Sequence, residues 1–243
     1  MNFVLRILFL VSVISLSFFL CCDARPAYVC IFSDEGGETK VLLAQKKVKG
    51  NWFIKHPESY ITPGSDGKWV TITKDDGSRT FAVYSSGRKI KCPNSWVFPG
   101  GDAIIREGEH VIETGEKAAK REFREETGVS LLKITSEYSK LVRGAGFDAF
   151  YVRVRPDSLS SLATKIGENF DLNQKIRTNP LEMMMAQNSP GTLDDELEEV
   201  QVVTKAEAKT RIEHQIPKKD FDWFLWILDH IPVISQAYPP HST

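Results

Sequence analysis

Three glutamates near the middle of the chain have the spacing of a metal-binding helix face. Glu122, Glu125 and Glu126 lie at positions i, i+3 and i+4, so a helix would carry all three carboxylates on one stripe. Like charges at this spacing destabilise a helix by roughly a few tenths of a kcal/mol per pair. A divalent cation would offset the repulsion, because Mg²⁺ and Mn²⁺ prefer carboxylate oxygen.

An ordinary solvated helix face is the alternative interpretation of this stretch. Arg121 and Glu125 form an i, i+4 pair of opposite charge, as such faces commonly do. The flanking residues favour the metal site. Gly128 follows the acidic run directly, which predicts a left-handed helix C-cap, and Pro99-Gly100-Gly101 predicts a strand-to-loop turn just upstream.

The segment 121–129, REFREETGV, resembles the core of the Nudix box at every fixed position. That core reads R-E-U-x-E-E-x-G-U, where U is aliphatic or aromatic. Glu113 lies eight residues before Arg121, which is the spacing of the first glutamate of the box. Gly100-Gly101 resembles the glycine pair with which the box begins.

The loop between the glycines and the first glutamate is longer than in the box. Eleven residues separate Gly101 from Glu113, where the family has five. Glu107 has the family's distance from Gly101 but lies too far from Arg121. We therefore favour Glu113, which adjoins the helix, and expect about six extra residues in the loop.

The resemblance also implies roles for these residues. Arg121 would orient the neighbouring glutamates by ion pairing, and Glu113 would support Arg121 from across the loop. One of the helix glutamates, or a loop glutamate, would act as the general base. Phe123 and Ala119 would face the sheet. The ligands of Mg²⁺ or Mn²⁺ would be Glu122, Glu125, Glu126 and the carbonyl of Gly101.

A second acidic run, 194–199, precedes the strand-like sequence VQVV. In the family, a glutamate from such a region can reach the metal site. Glu196, Glu198 and Glu199 are the candidates here, with Glu196 and Glu199 as possible additional site residues. A charged loop without a role in the site is equally compatible with this sequence.

The resemblance implies an α/β fold, a Nudix-type α/β/α sandwich around a mixed sheet, with an inserted β-rich segment and extra C-terminal helices. The implied function is metal-dependent hydrolysis of a diphosphate linkage in a nucleoside diphosphate derivative or related compound. A Nudix-fold binding module without turnover is the alternative, and a membrane-tethered scaffold is a third possibility. We expect a small-molecule diphosphate as the partner, and a homodimer is possible. The marks of ADP-ribose and dinucleoside polyphosphate subfamilies are absent near Ala145 and Gly146.

The N-terminal 24 residues predict a signal peptide. Arg6 is followed by sixteen apolar or hydroxylated residues, and Cys22-Asp23-Ala24 offers a cleavage site after Ala24. The expected location is therefore secreted or periplasmic. A membrane anchor formed by residues 7–22 is the alternative.

Composition fits one domain, residues 25–234, followed by a flexible tail at 235–243. The formal net charge of −1 argues against a protein that coats a nucleic-acid polymer. Cys30 and Cys92 remain after signal cleavage. They could form a disulfide in an oxidising compartment, or Cys30 could be a buried core thiol.

Apolar runs predict the elements around the box. Strands are expected at 27–32 and 41–44, and at 69–73 and 80–84 within an insertion spanning about 46–94. Beyond the box, strands are expected at 131–138 and 147–154, and helices at 157–167, 205–215 and 218–230.

Two groups of side chains outside the box have open interpretations. The basic cluster Arg88, Lys89 and Lys91 ends the insertion, where it could solubilise a loop or contact phosphates. Trp223 and Trp226 flank the apolar stripe of the last helix, either as extra packing or as a partner surface.

Overall fold

The computed structural model describes residues 25–56, 69–73, 79–106, 111–178, 195–215, 217 and 221–234. The predicted signal peptide, 1–24, and the predicted tail, 235–243, lie outside these ranges. Among the described helices, none combines the length and the apolar character that crossing a membrane requires.

Within the described ranges the chain forms twelve β-strands and four α-helices. The strands are β1 (Ala27–Glu35), β2 (Glu38–Lys46), β3 (Lys49–His56), β4 (Trp69–Thr73), β5 (Arg79–Lys89), β6 (Trp96–Val97), β7 (Gly100–Gly101), β8 (Ile105–Arg106), β9 (Val111–Ile112), β10 (Tyr138–Arg143), β11 (Asp148–Arg153) and β12 (Leu197–Thr204). The helices are α1 (Gly115–Thr127), α2 (Pro156–Thr178), α3 (Lys205–Glu213) and α4 (Asp222–Asp229).

The main sheet is mixed, as the resemblance implied. Its strand order is β10-β11-β1-β2-β12, with β6 paired to β2 and β7 paired to β1. β1 runs parallel to β11 and antiparallel to β2. Six of the nine residues of β1 are buried, as expected of a central strand covered on both faces.

Two neighbouring residues of β11 show that helices cover both faces of this sheet. Lys120 of α1 lies over the ring of Phe150, with its Nζ 5.3 Å from the ring centroid. The hydroxyl of Tyr151 donates to the carbonyl of Ile227 in α4 at 2.9 Å. Successive side chains of a strand point to opposite faces, so α1 and α4 lie on opposite sides. The predicted α/β/α sandwich is confirmed.

The inserted segment forms its own sheet. β3, β5 and β4 pair in that order, all antiparallel, within the predicted insertion of about 46–94. The strand prediction at 69–73 coincides with β4, and the one at 80–84 falls within β5.

The strand predicted at 131–138 is wrong. A short 3₁₀ turn, Leu131–Lys133, occupies its first half, and β10 begins at Tyr138. Burial does not alternate here: Leu131 is buried, whereas Leu132 and Lys133 are both exposed and the next less exposed residue is Ile134. The chain is still turning after the end of α1, so these apolar residues do not share a strand face.

Two helix predictions have the right type and the wrong length. The helix predicted at 157–167 extends over Pro156–Thr178, because its apolar stripe continues past 167 through Phe170, which is buried. The helix predicted at 218–230 spans Asp222–Asp229. Its apolar stripe at i, i+3, i+4 and i+7 predicts four core residues, of which Phe221, Phe224 and Leu228 are buried and Leu225 is partly buried.

Both cysteines of the described chain are free thiols. Cys30 is completely buried, and burial raises the pKa of its thiol far above the ordinary range. Because a thiol reacts as its thiolate, Cys30 should be inert in the folded protein. Cys92 is partly exposed.

We therefore expect a thiol reagent to label one cysteine in native protein that begins at Arg25, and two after unfolding. Mass spectrometry of the labelled protein would identify the site as Cys92. The Cys92→Ser variant should remain unlabelled until it unfolds. Labelling of neither cysteine before reduction, and of both after it, would instead demonstrate a disulfide.

Candidate active site

The glycine pair lies where β1 and β2 separate. The two strands pair between Phe32 and Val41 and around their connecting turn, and the segment 96–101 then enters the space between them. β6 pairs with the far end of β2, and β7 pairs with Ala27 and Tyr28 of β1. The amide of Val29 also donates to the carbonyl of Pro99 at 2.8 Å.

This position requires glycine at Gly100. Its φ is +153°, and a Cβ there would lie 2.2 Å from the carbonyl oxygen of Ala27. Gly101 is constrained differently, because a Cβ there would lie 2.6 Å from Oε2 of Glu122. The absence of a side chain at Gly101 therefore lets the glutamate carboxylate approach the backbone of β7 closely.

The acidic helix α1 begins and ends with local signals in its own sequence. At the N-terminus, the hydroxyl of Thr114 accepts a hydrogen bond from the amide of Lys117 at 3.4 Å. At the C-terminus, Gly128 has a left-handed backbone with φ 74°, so the predicted C-cap is confirmed. Ala119 and Phe123 are fully buried against the sheet. This packing fixes the rotation of α1 and directs its glutamates toward the glycine pair.

Arg121 is the hub of the acidic side chains. Its Nε donates to Glu113 at 3.1 and 3.2 Å, and its Nη1 donates to Glu122 at 2.6 Å and to Glu125 at 2.9 Å. Nη2 donates to the carbonyl of Asp102 at 2.8 Å. One guanidinium thus hydrogen-bonds and orients three carboxylates.

Although the loop is longer than in the box, Glu113 still lies within hydrogen-bond distance of Arg121. β8 and β9 pair as a two-stranded ladder, here called the side arm, in which Ile105 is opposite Ile112 and Arg106 is opposite Val111. At the base of the arm, the amide of Glu113 donates to the carbonyl of Ile104 at 3.2 Å. The amide of Ile104 donates back to the Glu113 carboxylate at 3.0 Å.

This geometry keeps the Glu113 carboxyl ionised. Burial acts to raise the pKa of Glu113, but the hydrogen bonds from Arg121 and from the amide of Ile104 outweigh burial and lower the pKa overall. Burial likewise acts to lower the pKa of Arg121. The hydrogen bond of Arg121 to Glu113 and the charges of Glu122 and Glu125 outweigh burial, so the pKa is raised overall.

Glu126 lies deeper than the other glutamates of the box. It is 5 % exposed, and one of its carboxylate oxygens accepts the amide of Gly100 at 2.7 Å. Burial raises the pKa of Glu126 well above its ordinary value; Lys46 opposes this, and the charges of Glu196 and Glu122 reinforce it. The site therefore holds more negative charge than its own cations compensate.

A cleft of about 680 Å³ opens over these residues. Its acidic end contains Glu122, Glu126, Asp102 and Glu196. Lys46 also lines the cleft and pairs with Glu196, Nζ to Oε2, at 3.2 Å. The remaining walls carry two further lysines, Lys89 and Lys91, and a group of aromatic side chains, Tyr28, Phe221, Trp223 and Phe224.

The structure separates the sequence-predicted residues into three sets. Glu122, Glu126 and Gly101 line the cleft, whereas Arg121, Glu113 and Glu125 form the adjoining ion-pair network. The late candidate Glu196 reaches the cleft. Glu198 and Glu199, on β12, line a separate hollow beside Lys47, so the structure does not bring them into the cleft.

Sequence reasoning missed Tyr28, Lys46 and Asp102. Asp102 directly follows the glycine pair, and this adjacency was the available signal. Tyr28 and Lys46 lie on β1 and β2, and only the separation of these strands brings both into one cleft. Lys89 and Lys91 line the cleft, which favours the phosphate-contact interpretation of the basic cluster over loop solubility alone.

The donor set fits a hard divalent cation. Carboxylates and backbone carbonyls are the ligands that Mg²⁺ and Mn²⁺ prefer, and the buried, like-charged Glu126 is a group that a cation would stabilise. Within the described ranges, no three acidic, His or Cys side chains already converge closely enough to hold one ion. Arg121 holds Glu122 and Glu125, and the amide of Gly100 holds Glu126.

The raised pKa of Glu126 predicts a pH-dependent loss of stability. Below its ordinary pKa of 4.5, the carboxyl is protonated in both the folded and the unfolded chain. As the pH rises, the unfolded chain ionises first, so the free energy of unfolding falls by about 1.4 kcal/mol per unit of difference between the two pKa values. The Glu126→Gln substitution removes this fall in the free energy of unfolding. It also keeps a side-chain oxygen that can accept the hydrogen bond from the Gly100 amide.

Denaturant titrations with a chelator present would measure the effect. Glu126→Gln should be more stable than the original protein at pH 7 and nearly equal to it near pH 4. Glu116→Gln is the matched control, because Glu116 is exposed on the same helix, and its stability should change little. Equal stabilities of Glu126→Gln and the original protein at pH 7 would contradict the burial of a destabilised carboxylate.

Comparisons with known proteins agree with the sequence motif. Among solved structures, the chain is similar to a binary complex of the C. elegans Ap4A hydrolase, at 12 % identity over 85 % of this chain and 98 % of that one, with a TM-score of 0.31. It is also similar to Shewanella oneidensis NrtR complexed with a 27mer DNA, at 14 % identity over 84 % of this chain and 58 % of that one, with a TM-score of 0.28. Likenesses this weak carry no argument about function.

A match at the level of the family is more extensive. No curated protein matches the sequence, but the family model described as the NUDIX domain matches residues 66–224. This match covers more than half of the chain and includes the glycine pair, the side arm, α1 and the cleft glutamate Glu196. The chain therefore belongs to the NUDIX domain family.

Proposed function

We propose that this protein is a metal-dependent hydrolase that cleaves a diphosphate linkage in a nucleoside diphosphate derivative or a related compound. One observation carries the proposal: the glutamates of α1 and the glycine pair of β7 meet at the end of a cleft that also carries lysines. Membership of the NUDIX domain family supports diphosphate hydrolysis in general. It does not identify the compound.

Glu122, Glu126 and the carbonyl of Gly101 would hold Mg²⁺ or Mn²⁺ at the acidic end, and Glu125 would join them once released from Arg121. When bound, the ion supplies positive charge for the phosphoryl oxygens and makes water a stronger nucleophile near neutral pH. Burial, reinforced by the charges of Glu196 and Glu122, raises the pKa of Glu126, and a bound cation would favour its ionised form.

The other residues of the network position these groups. Arg121 fixes the carboxylates of Glu122 and Glu125, and Glu113 fixes Arg121. Such supporting contacts matter because a displaced ligand loses its geometry. The carboxylate that accepts the proton of the attacking water would be one of the helix glutamates or Glu196, which lies at the acidic end of the cleft.

Lys46 positions Glu196 in this arrangement. Its contact with Glu196 holds the late acidic segment against β2, and the neighbouring Lys47 does the same through Asp195 at 2.5 Å. The amide of Lys47 also donates to the carbonyl of Glu196 at 2.8 Å. The contacts of Lys47 thus hold the backbone of this segment, and Lys46 holds the carboxylate of Glu196 beside the cleft, where it can serve the reaction.

The proposal predicts that Glu122→Gln, Glu125→Gln and Glu126→Gln each lower kcat by about three orders of magnitude or more. A thousandfold loss corresponds to about 4 kcal/mol of transition-state stabilisation. Products would be measured with Mg²⁺ or Mn²⁺ on protein that begins at Arg25. The substrate panel contains NTPs, ADP-ribose, NADH, dinucleoside polyphosphates, CoA and diphosphoinositols.

Glu116→Gln is again the control, since it removes an exposed carboxylate from the same helix and should retain turnover. Failure of the original protein to cleave any member of the panel would contradict hydrolysis and favour a binding module. Unchanged turnover in Glu125→Gln or Glu126→Gln would contradict the proposed site.

A further inference from the structure

The inserted sheet joins the rest of the domain beside the late acidic segment. Only Lys47 and Val48 lie between the end of β2 and the start of β3, and the first two residues of β3, Lys49 and Gly50, pair with the last two of β5. The amide of Ile90, which follows β5, donates to the carbonyl of Val48 at 3.4 Å. The two ends of the insertion are therefore held together at residues 47–50 and 88–90, here called the base of the inserted sheet.

Gly50 packs against the backbone of Asp195. It is buried, and a Cβ there would lie 2.4 Å from the carbonyl oxygen of Asp195 and 3.2 Å from Cδ1 of Ile90. The φ of Gly50 lies outside the left-handed region, so the backbone conformation does not itself require glycine. The requirement comes from the close approach of a second backbone, which is a common reason for glycine within a strand.

This contact bears directly on Glu196. The carbonyl oxygen of Asp195 and the amide nitrogen of Glu196 belong to one planar peptide group, so a displacement of that oxygen moves the backbone from which the Glu196 side chain projects. The carboxylate of Glu196 lies at the acidic end of the cleft, where it pairs with Lys46 at 3.2 Å. Its position therefore depends on the backbone contact at Gly50 as well as on this ion pair.

Lys47 holds the same peptide group through two contacts. Its Nζ pairs with the carboxylate of Asp195 at 2.5 Å, and its amide donates to the carbonyl of Glu196 at 2.8 Å. The backbone of Asp195 and Glu196 is thus bound by Lys47 and packed against Gly50, the two ends of one four-residue junction between β2 and β3.

We infer that the base of the inserted sheet is a positioning element for the reaction, in which Gly50 packs on the peptide between Asp195 and Glu196 and so holds the Glu196 carboxylate at the acidic end of the cleft. The inference rests on the proposed function and deepens it, because it gives the inserted sheet a part in orienting a carboxylate of the site. Lys89 belongs to the same base and lines the cleft, so one structural unit carries both the basic wall and the contact that positions Glu196.

Gly50→Ala should lower kcat about tenfold or more with little change in KM. The added methyl group displaces the carbonyl of Asp195, and a misplacement of about 1 Å can reduce turnover about a hundredfold. Kinetics would be measured with Mg²⁺ or Mn²⁺ on a panel compound that the original protein cleaves. Gly167→Ala is the matched control, because a Cβ at Gly167, within α2, would meet nothing within 4 Å, and it should retain kcat.

A double-mutant cycle separates positioning from general destabilisation. Glu196→Gln alone should lower kcat, and adding Gly50→Ala to it should cause little further loss, because substitutions that act through one group are not additive. Lys47→Met removes the ion pair with Asp195; it should behave in the same way, and it replaces Gly50→Ala if that variant does not fold. Additive losses, an unchanged kcat in Glu196→Gln, or an effect of Gly50→Ala on KM alone would overturn the inference.

Hydrogen exchange measured by NMR gives a readout that does not need turnover. The amide of Lys47 should exchange about tenfold faster in Gly50→Ala, since its acceptor belongs to the displaced segment. The amide of Asn94, which donates to the carbonyl of Lys46 at 2.9 Å, should keep its rate. Unchanged exchange at Lys47, or equal acceleration of both amides, would overturn the positioning role. Selective acceleration at Lys47 in a protein that cleaves no panel compound would overturn hydrolysis and leave the contact between Gly50 and the late acidic segment standing.

Discussion

The guanidinium of Arg121 sits at the centre of an otherwise repulsive cluster of carboxylates. Three glutamates lie within hydrogen-bond distance of it, and in its absence their charges would repel each other at close range with little solvent screening. Arg121 is suited to the task because its planar fork can bond several oxygens at once, which the point charge of a lysine cannot do. The positions of Glu113, Glu122 and Glu125 follow from this anchor.

Glu126 connects that anchor to the sheet. Its carboxylate accepts a hydrogen bond from the Gly100 amide and so joins the acidic helix to β7 at the place where β1 and β2 separate. The cleft results from that separation. The network therefore places its carboxylates at the base of the cleft, and the strand pairing determines where the cleft lies. The same arrangement leaves one carboxylate buried, with its pKa raised well above the ordinary value, as is common at functional sites.

The two insertions differ in how they relate to this site. The arm formed by β8 and β9 lengthens the loop without moving its ends, because pairing of the arm returns the chain to Ile104 and Glu113. The larger insertion ends at Lys89, and the tight turn that follows carries lysines to the cleft. An added segment can therefore leave a site intact or supply new contacts, depending on where its two ends are fixed.

The mixed sheet with helices on both faces was implied by the resemblance of one motif to a known family. The sequence by itself determined the local features: the acidic stripe of α1, its glycine C-cap and, through that motif, the pairing of Arg121 with Glu113 across a lengthened loop. These follow from short-range spacing, which periodicity and one motif encode. Tertiary structure alone decided that Glu196 reaches the cleft while Glu199 does not, that Leu131 belongs to a turn, and that Tyr28, Lys46 and Trp223 share one cavity. Those outcomes depend on strand separation and on packing between residues far apart in the chain, and no local pattern records which distant surfaces will meet.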